Sequence, residues 1–196
     1  MTIAAPAPRT VQSNSAAAYF TATSLTAHAF FTGRADDIAR ACEALASCFQ
    51  RGGRLLVCGD GAQSSDVSHV VVEFLHPVVV GKRALPALAL PEIEHGSAAR
   101  TLVTIARSDD ALLLLAAASL SASSLDLLAI ARDRGLTTIV LLAGESQMPL
   151  LGIGHLFAVP AADPCIVQET HEMLYHILWE LVHVFLDHRT TVAAVA

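Results

Sequence analysis

The sequence predicts an α/β fold: a three-layer, doubly wound parallel sheet with N-terminal helices and a long C-terminal helix. Two features predict it. Short runs that are apolar throughout, such as RLLVC (54–58) and ALLLLA (111–116), alternate with longer segments of helical spacing. Strands covered on both faces by crossover helices read this way, whereas a half-exposed antiparallel sheet alternates apolar with polar residues. Turn residues then punctuate the runs. Gly59-Asp60-Gly61 follows the first, and Gly135 precedes the run at Leu136–Leu142.

In chain order, residues 1–13 combine proline with small polar residues and read as a flexible tail, with no basic head or apolar stretch of a secretory signal. Residues 14–190 read as a single domain and 191–196 as a second tail. Ala16–Phe31 has helical spacing, Gly33 interrupts it, and Asp36-Asp37 open a second helix that runs to Gln50. Acidic residues suit a first turn, where the helix dipole favours negative charge. Arg51-Gly52-Gly53 ends that helix. Ser64–Leu75 reads as a helix, Leu85–Leu90 as a strand, Gly96–Arg107 as a helix and Ala111–Ala116 as a strand. Ser121–Arg134 is the next helix, followed by a strand at Leu136–Leu142, a short helix at 147–152, and a strand at His155–Val159. A helix from Pro164 to His188 closes the domain. It is apolar nearly all round, which predicts burial between subunits. No internal repeat or linker divides the chain.

Composition narrows the function classes. A chain of 196 residues is at the upper edge of one domain. Its hydrophobic fraction, 54%, exceeds what a small core needs and predicts apolar surface covered by copies of the chain. The net charge of −6 lacks the basic surplus of a nucleic-acid binder. The most apolar run, Ala111–Leu120, is shorter than the ~20 residues that span a bilayer, so no membrane association is expected. Cys42, Cys48, Cys58 and Cys165 form no CxxC pair, and three have apolar neighbours. Reduced thiols in a cytoplasmic protein are the simple reading.

Ligands of open α/β sheets bind at the carboxyl ends of strands. The first such end is GDGAQSSDVSHVVVEF (59–74). Its glycines permit a tight turn and the next helix offers free N–H groups to an anion, although most such turns merely connect a strand to a helix. Asp60 would repel a phosphate there. His69 and Glu73, four residues apart on one helix face, can share a metal or a proton; a surface His–Glu pair is the plain alternative. Their neighbours Val70, Val71, Val72 and Phe74 leave this helix little polar face to spare. The last helix carries Gln168, Glu169, His171, Glu172, His176, Glu180 and His183. His171 and His176 are five apart and so on different faces, unlike the HExxH zinc motif. Glu172–His176 and His176–Glu180 are i,i+4 pairs, an arrangement common among solvated partners. Polar groups in so apolar a helix need partners, and convergence with His69 and Glu73 would supply them. Ser119, Ser121, Ser123 and Ser124 suit either a phosphate or an ordinary helix cap. His95 lies in a polar loop without an assigned role.

Taken together, these segments resemble the phosphoheptose isomerases of the SIS (sugar isomerase) domain family, whose sheet is flavodoxin-like. The family's first motif, roughly GNGGSAADAQHFAAEL, aligns without gaps with residues 59–74. Its late motif, roughly RIQEVHLLILHLLCELVE, is matched by CIVQETHEMLYHILWELVH at 165–183, and LPALAL at 85–90 matches its second strand. The resemblance implies a homotetramer with sites between subunits. It also implies an aldose–ketose isomerisation of sedoheptulose 7-phosphate through an enediol, with bound Zn2+. By motif position the metal ligands would be His69, Glu73, Gln168 and His176, and the proton-transfer residues Glu73 and His176. Gly59, Asp60, Gly61, Gln63, Ser119, Ser121 and Ser123 would face the substrate.

The departures from the family fall on phosphate binding. Its Asn and Ser in GNGGS become Asp60 and Gln63, its STSGNSPN loop becomes AAASLSAS (116–123), and an Arg falls at Pro77. Lys82 and Arg83 are the nearby cations. Two functions therefore compete: a sugar-phosphate isomerase, and a non-catalytic SIS-domain binding or assembly module. A zinc site serving a substrate without phosphate lies between them.

Overall fold

A computed structural model of the chain describes residues 9–60, 63–93, 96–116, 119–144 and 153–195. The elements run α1 (Arg9–Gln50), β1 (Leu55–Gly59), α2 (Ser64–Leu75), β2 (Ala87–Ala89), α3 (Ser97–Ile105), β3 (Ala111–Leu115), α4 (Ala122–Asp133), β4 (Thr137–Ala143), β5 (His155–Val159) and α5 (Pro164–Val195). One sheet orders its strands β2-β1-β3-β4-β5, each neighbouring pair parallel.

The period of two along each strand explains why the strands read apolar throughout. Leu55 and Val57 of β1, Leu113 and Leu115 of β3, and Ile139 and Leu141 of β4 pack with residues of α1, α2 and α5. Their neighbours Leu56, Cys58, Leu112, Leu114, Val140 and Leu142 pack with α3 and α4 on the opposite face. This is the expected three-layer architecture. β2 is shorter than the run at 85–90 suggests, because it lies at the sheet edge and leaves Leu88 exposed.

The N-terminal region differs from its expectation. Gly33 does not separate two helices; α1 is a single helix of 42 residues. Glycine inside a helix costs only about 1 kcal/mol relative to alanine. Long-range packing offsets that cost, since Phe30, on one side of Gly33, and Ile38, Cys42, Leu45 and Phe49, on the other, all enter one core with α5. Helical backbone also reaches into both expected tails, from Arg9 and to Val195. The short helix expected at 147–152 lies outside the described residues. All four cysteines are free, with only Cys165 exposed. Among the described residues, no helix is long and apolar enough to cross a membrane.

The amino edge of the sheet is closed by a buried ion pair. Asp110, with no exposed surface, accepts from the backbone N–H groups of Arg54 at 2.8 Å and Arg107 at 2.9 Å, and from the Arg54 Nη2 at 2.6 Å. Arg54 Nη2 also donates to the Ile105 carbonyl at 2.7 Å. Gly53 precedes this clamp because a Cβ there would collide with the Asp109 carbonyl. Burial alone would raise the Asp110 pKa; the Arg54 guanidinium and the backbone donors outweigh it and hold the carboxyl below its ordinary value.

A depressed carboxyl pKa contributes stability above the unfolded value of about 3.9, and that stability is lost as pH falls through the lower folded value. Asp110→Asn is expected to reduce the unfolding free energy at neutral pH by about 3 kcal/mol, read by urea denaturation. The gap between wild type and variant should narrow on acidification; an unchanged gap contradicts the assignment.

Candidate active site

α2 follows the carboxyl end of β1, and α5 follows that of β5, so both helices leave the same edge of the sheet. α2 starts close against β1 because Gly59 has no side chain: a Cβ there would sit 2.8 Å from the Gln63 Cβ and 3.2 Å from the Leu115 carbonyl oxygen. The buried stripe of α2, Val67, Val70 and Phe74, turns into the core. Asp66, His69 and Glu73 occupy positions three and four residues apart on an adjoining stripe. α5 presents Gln168, Glu172, Tyr175 and His176 at the same helical spacing.

His69 is the centre of the arrangement. The Tyr175 hydroxyl lies 2.9 Å from its Nδ1, and His176 Nε2 lies 3.4 Å from its Nε2. Glu73 Oε1 is 3.4 Å from the same Nε2, and Glu172 Oε1 is 3.8 Å from Nδ1. The His69, Tyr175 and His176 rings meet edge to face, with centroids 5.1–5.2 Å apart. The His69 side chain is 35% exposed and Glu73 19%, so the cluster is half-buried and open on one side.

Charge in the cluster is predominantly negative. Burial pushes the Asp66 carboxyl above its usual range; the Gln168 amide, donating to it at 3.2 Å, opposes the shift, and Glu172 adds to it. Burial, followed by the carboxylates of Asp66, Glu172 and Glu73, also drives the Tyr175 phenol well above its ordinary value. Tyr175 therefore stays a hydroxyl, able to donate to Nδ1 or accept from it, and holds the His69 ring in either tautomer.

Of the residues assigned by motif position, His69, Glu73 and His176 come together. The Gln168 amide nitrogen donates to Asp66 at 3.2 Å, a bond that does not use its Oε1. Two members of the cluster lie outside the motif positions: Tyr175, and Glu172, whose i,i+4 spacing to His176 is common among solvated pairs. Their spacing from Gln168 and His176 along one face was the available signal. His171 faces the sheet: it is fully buried, its Nε2 lies 3.3 Å from the Leu142 carbonyl oxygen, and burial lowers its pKa to about 4.

The residues expected to face substrate divide. Gly59 serves the close packing of α2 on β1. Asp60 is half-buried, whereas Gln63 is 7% exposed and its Oε1 is buried without a hydrogen-bond partner. Ser121 caps α4, accepting from the Ser124 N–H at 3.1 Å; Ser119 is exposed and Ser123 half-buried. Gly61 and His95 lie outside the described residues. Lys82 pairs with Asp187 at 3.5 Å, and the Arg83 carbonyl lies 3.0 Å from His183 Nε2.

His69, Glu172 and His176 each offer a ligand atom within 4.8 Å of the others. Two imidazoles and a carboxylate suit zinc. The 3.4 Å between ring nitrogens matches the tetrahedron edge, roughly 3.3 Å, set by Zn–N bonds of about 2.0–2.1 Å.

The SIS domain family profile matches residues 18–143. The phosphoheptose isomerase of Thermodesulfovibrio yellowstonii is 27% identical over 165 residues, spanning 78% of this chain and 82% of that protein. That of Chlorobium phaeobacteroides is 32% identical over 164 residues, spanning 74% and 71%. A solved phosphoheptose isomerase from Francisella tularensis superposes with a TM-score of 0.76 at 23% identity, covering 88% of this chain and 98% of that one; this is a likeness of fold.

Tyr175→Phe removes one hydroxyl and no ring. It is expected to lower stability by about 1 kcal/mol, measured by chemical denaturation, because His69 Nδ1 loses its partner. An unaltered denaturation midpoint would mean that the hydroxyl holds nothing.

Proposed function

The chain belongs to the SIS domain family, in its phosphoheptose isomerase branch, and on that premise we propose that it interconverts an aldose and a ketose of a phosphorylated sugar, of the sedoheptulose 7-phosphate type. The convergence of Glu73 and His176 on His69 carries the reading. Isomerisation needs a base at the carbon beside the carbonyl and a group that moves protons between the two oxygens. Glu73 takes the proton from carbon, the electron pair of that C–H bond becomes the enediol double bond, and the same carboxyl returns the proton to the neighbouring carbon. In the metal-free protein the His176 imidazole serves the oxygens.

The donor set also supports a zinc site. His69, Glu73, Gln168 and His176 would hold the ion by motif position, with Glu172 a further carboxylate beside the two histidines, and the ion when bound would polarise a carbonyl oxygen. On the substrate side, the proposal places Gly59, Asp60, Gly61, Gln63, Ser119, Ser121 and Ser123 around the sugar phosphate. The exposed Phe20 and Leu25 of α1 and Val184 of α5 support a homo-oligomer, proposed as a tetramer; buried free thiols support a cytoplasmic setting.

Two features favour a binding module instead. Asp60 stands where a phosphate would approach, and the Ser121 hydroxyl is engaged in capping α4. The two readings part on turnover. With sedoheptulose 7-phosphate in deuterated water, the isomerase incorporates deuterium at the carbon beside the carbonyl. Glu73→Gln slows incorporation by about a hundred- to ten-thousandfold. Binding without exchange, across a panel of ketose and aldose phosphates, selects the module.

A further inference from the structure

We propose that Tyr175 is a positioning residue for the base: its phenol donates to His69 Nδ1, which leaves the ring proton on Nε2, where it holds the Glu73 carboxylate. The inference deepens the isomerase reading and rests on it for the role of Glu73. Tyr175 is buried in the core with Leu174 and Leu178 of α5, so its hydroxyl is a fixed point rather than a solvated one. That hydroxyl is 2.9 Å from Nδ1, closer than His69 comes to Glu73, His176 or Glu172. Glu73 and His176 both meet the opposite nitrogen. Aligned on Gln168-Glu169, the late motif quoted above has leucine where this chain has Tyr175, so the motif itself supplies no such donor.

Counting protons decides between the two tautomers. A neutral imidazole carries one N–H and one lone pair. With the proton on Nδ1, the phenol would have to accept there, and its own hydrogen would need another acceptor. The bare Nε2 would then face the Glu73 carboxylate, which offers only lone pairs. With the proton on Nε2, the phenol donates to Nδ1, and Nε2–H is shared by Glu73 Oε1 and His176 Nε2, each 3.4 Å away. Every contact then joins a donor to an acceptor. Glu172 pulls the other way, because its Oε1 lies 3.8 Å from Nδ1. That distance is too long for a hydrogen bond, and Glu172 is 45% exposed against 19% for Glu73, so water screens it more. Burial and the surrounding carboxylates keep the phenol protonated and available as the donor.

The consequence for the reaction is orientation. A carboxyl with one oxygen held by Nε2–H presents the other to the carbon and loses less freedom on reaching the transition state. The chain of donors, Tyr175 to His69 to Glu73, starts in the core and ends at the base, and each bond polarises the next. An ion taken up at Nε2 would need the other tautomer, for which the phenol turns from donor to acceptor.

The test uses metal-stripped protein labelled with 15N in histidine. Long-range 1H–15N correlation separates a ring nitrogen that bears hydrogen from one with a lone pair, and His69→Gln identifies the His69 signals by their loss. The expected wild-type pattern is a lone pair on Nδ1 and a proton on Nε2. Tyr175→Phe should lose that fixed pattern, by averaging or by reversal. Deuterium incorporation from solvent into sedoheptulose 7-phosphate gives the second readout. There Tyr175→Phe should lower kcat about two- to tenfold, the effect of one hydrogen bond, with KM unchanged. His69→Gln has no ring for the phenol to fix, so in that background Tyr175→Phe should cost nothing further. Circular dichroism checks that each variant is folded. A tyrosine with only a structural role would give additive losses and leave the tautomer as it was. Additive losses, an unchanged tautomer in Tyr175→Phe, or a proton on Nδ1 in the wild type each overturn the proposal. The expected tautomer without exchange on any sugar phosphate would remove the isomerase and leave the hydrogen-bond chain standing.

Discussion

The pairing of β1 with β3 is the constraint on which the rest of the molecule depends. It is fixed at both ends. At the amino edge, Asp110 binds the backbone and side chain of Arg54, which sets Leu55 opposite Ala111. At the carboxyl edge, Gly59 lies opposite Leu115, close enough that any side chain on it would strike α2. A slip of one residue would turn each strand's side chains to the opposite face and bring Gly59 out of register. The start of α2 is therefore fixed relative to the sheet, and His69, in its second turn, is fixed with it.

The second helix of the site is held by packing rather than by a turn. Leu174, Tyr175, Leu178 and Val182 of α5 are buried in the core shared with α1 and α2. Tyr175 belongs both to that core and to the polar cluster, because its ring is buried while its hydroxyl reaches His69. Side chains on an otherwise apolar helix are thus supplied with partners across the α2–α5 contact. Gln168 meets Asp66, and Tyr175, His176 and Glu172 meet His69.

How much of this was legible follows from the range of each interaction. Strands buried on both faces are visible as apolar runs, so β1, β3, β4 and β5 fall within a residue or two of their predicted places. α2 matches its predicted span because a turn marks its start. α1 does not, because Gly33 is a local signal, and the core formed by Phe30, Ile38 and Leu45 with α5 is not local. The same holds at the site. His69, Glu73 and His176 stand out as motif positions, but the Gln168–Asp66 bond depends on a contact between helices about 100 residues apart in sequence. Tyr175 and Glu172 look like ordinary helix residues until α2 is placed beside them.

Electrostatics links the start of α2 to the cluster around His69. Asp66, Glu73 and Glu172 surround one imidazole, and burial together with mutual repulsion already raises the Asp66 pKa. Asp60 adds a carboxyl near the start of α2, and Lys82 is paired with Asp187. A phosphorylated sugar approaching this edge meets negative charge that serine hydroxyls and helix N–H groups offset only in part. A divalent cation held by the histidines and carboxylates around His69 would offset part of that negative charge. The residues that weaken phosphate binding and the residues that favour a cation are, on this argument, two parts of one charge balance.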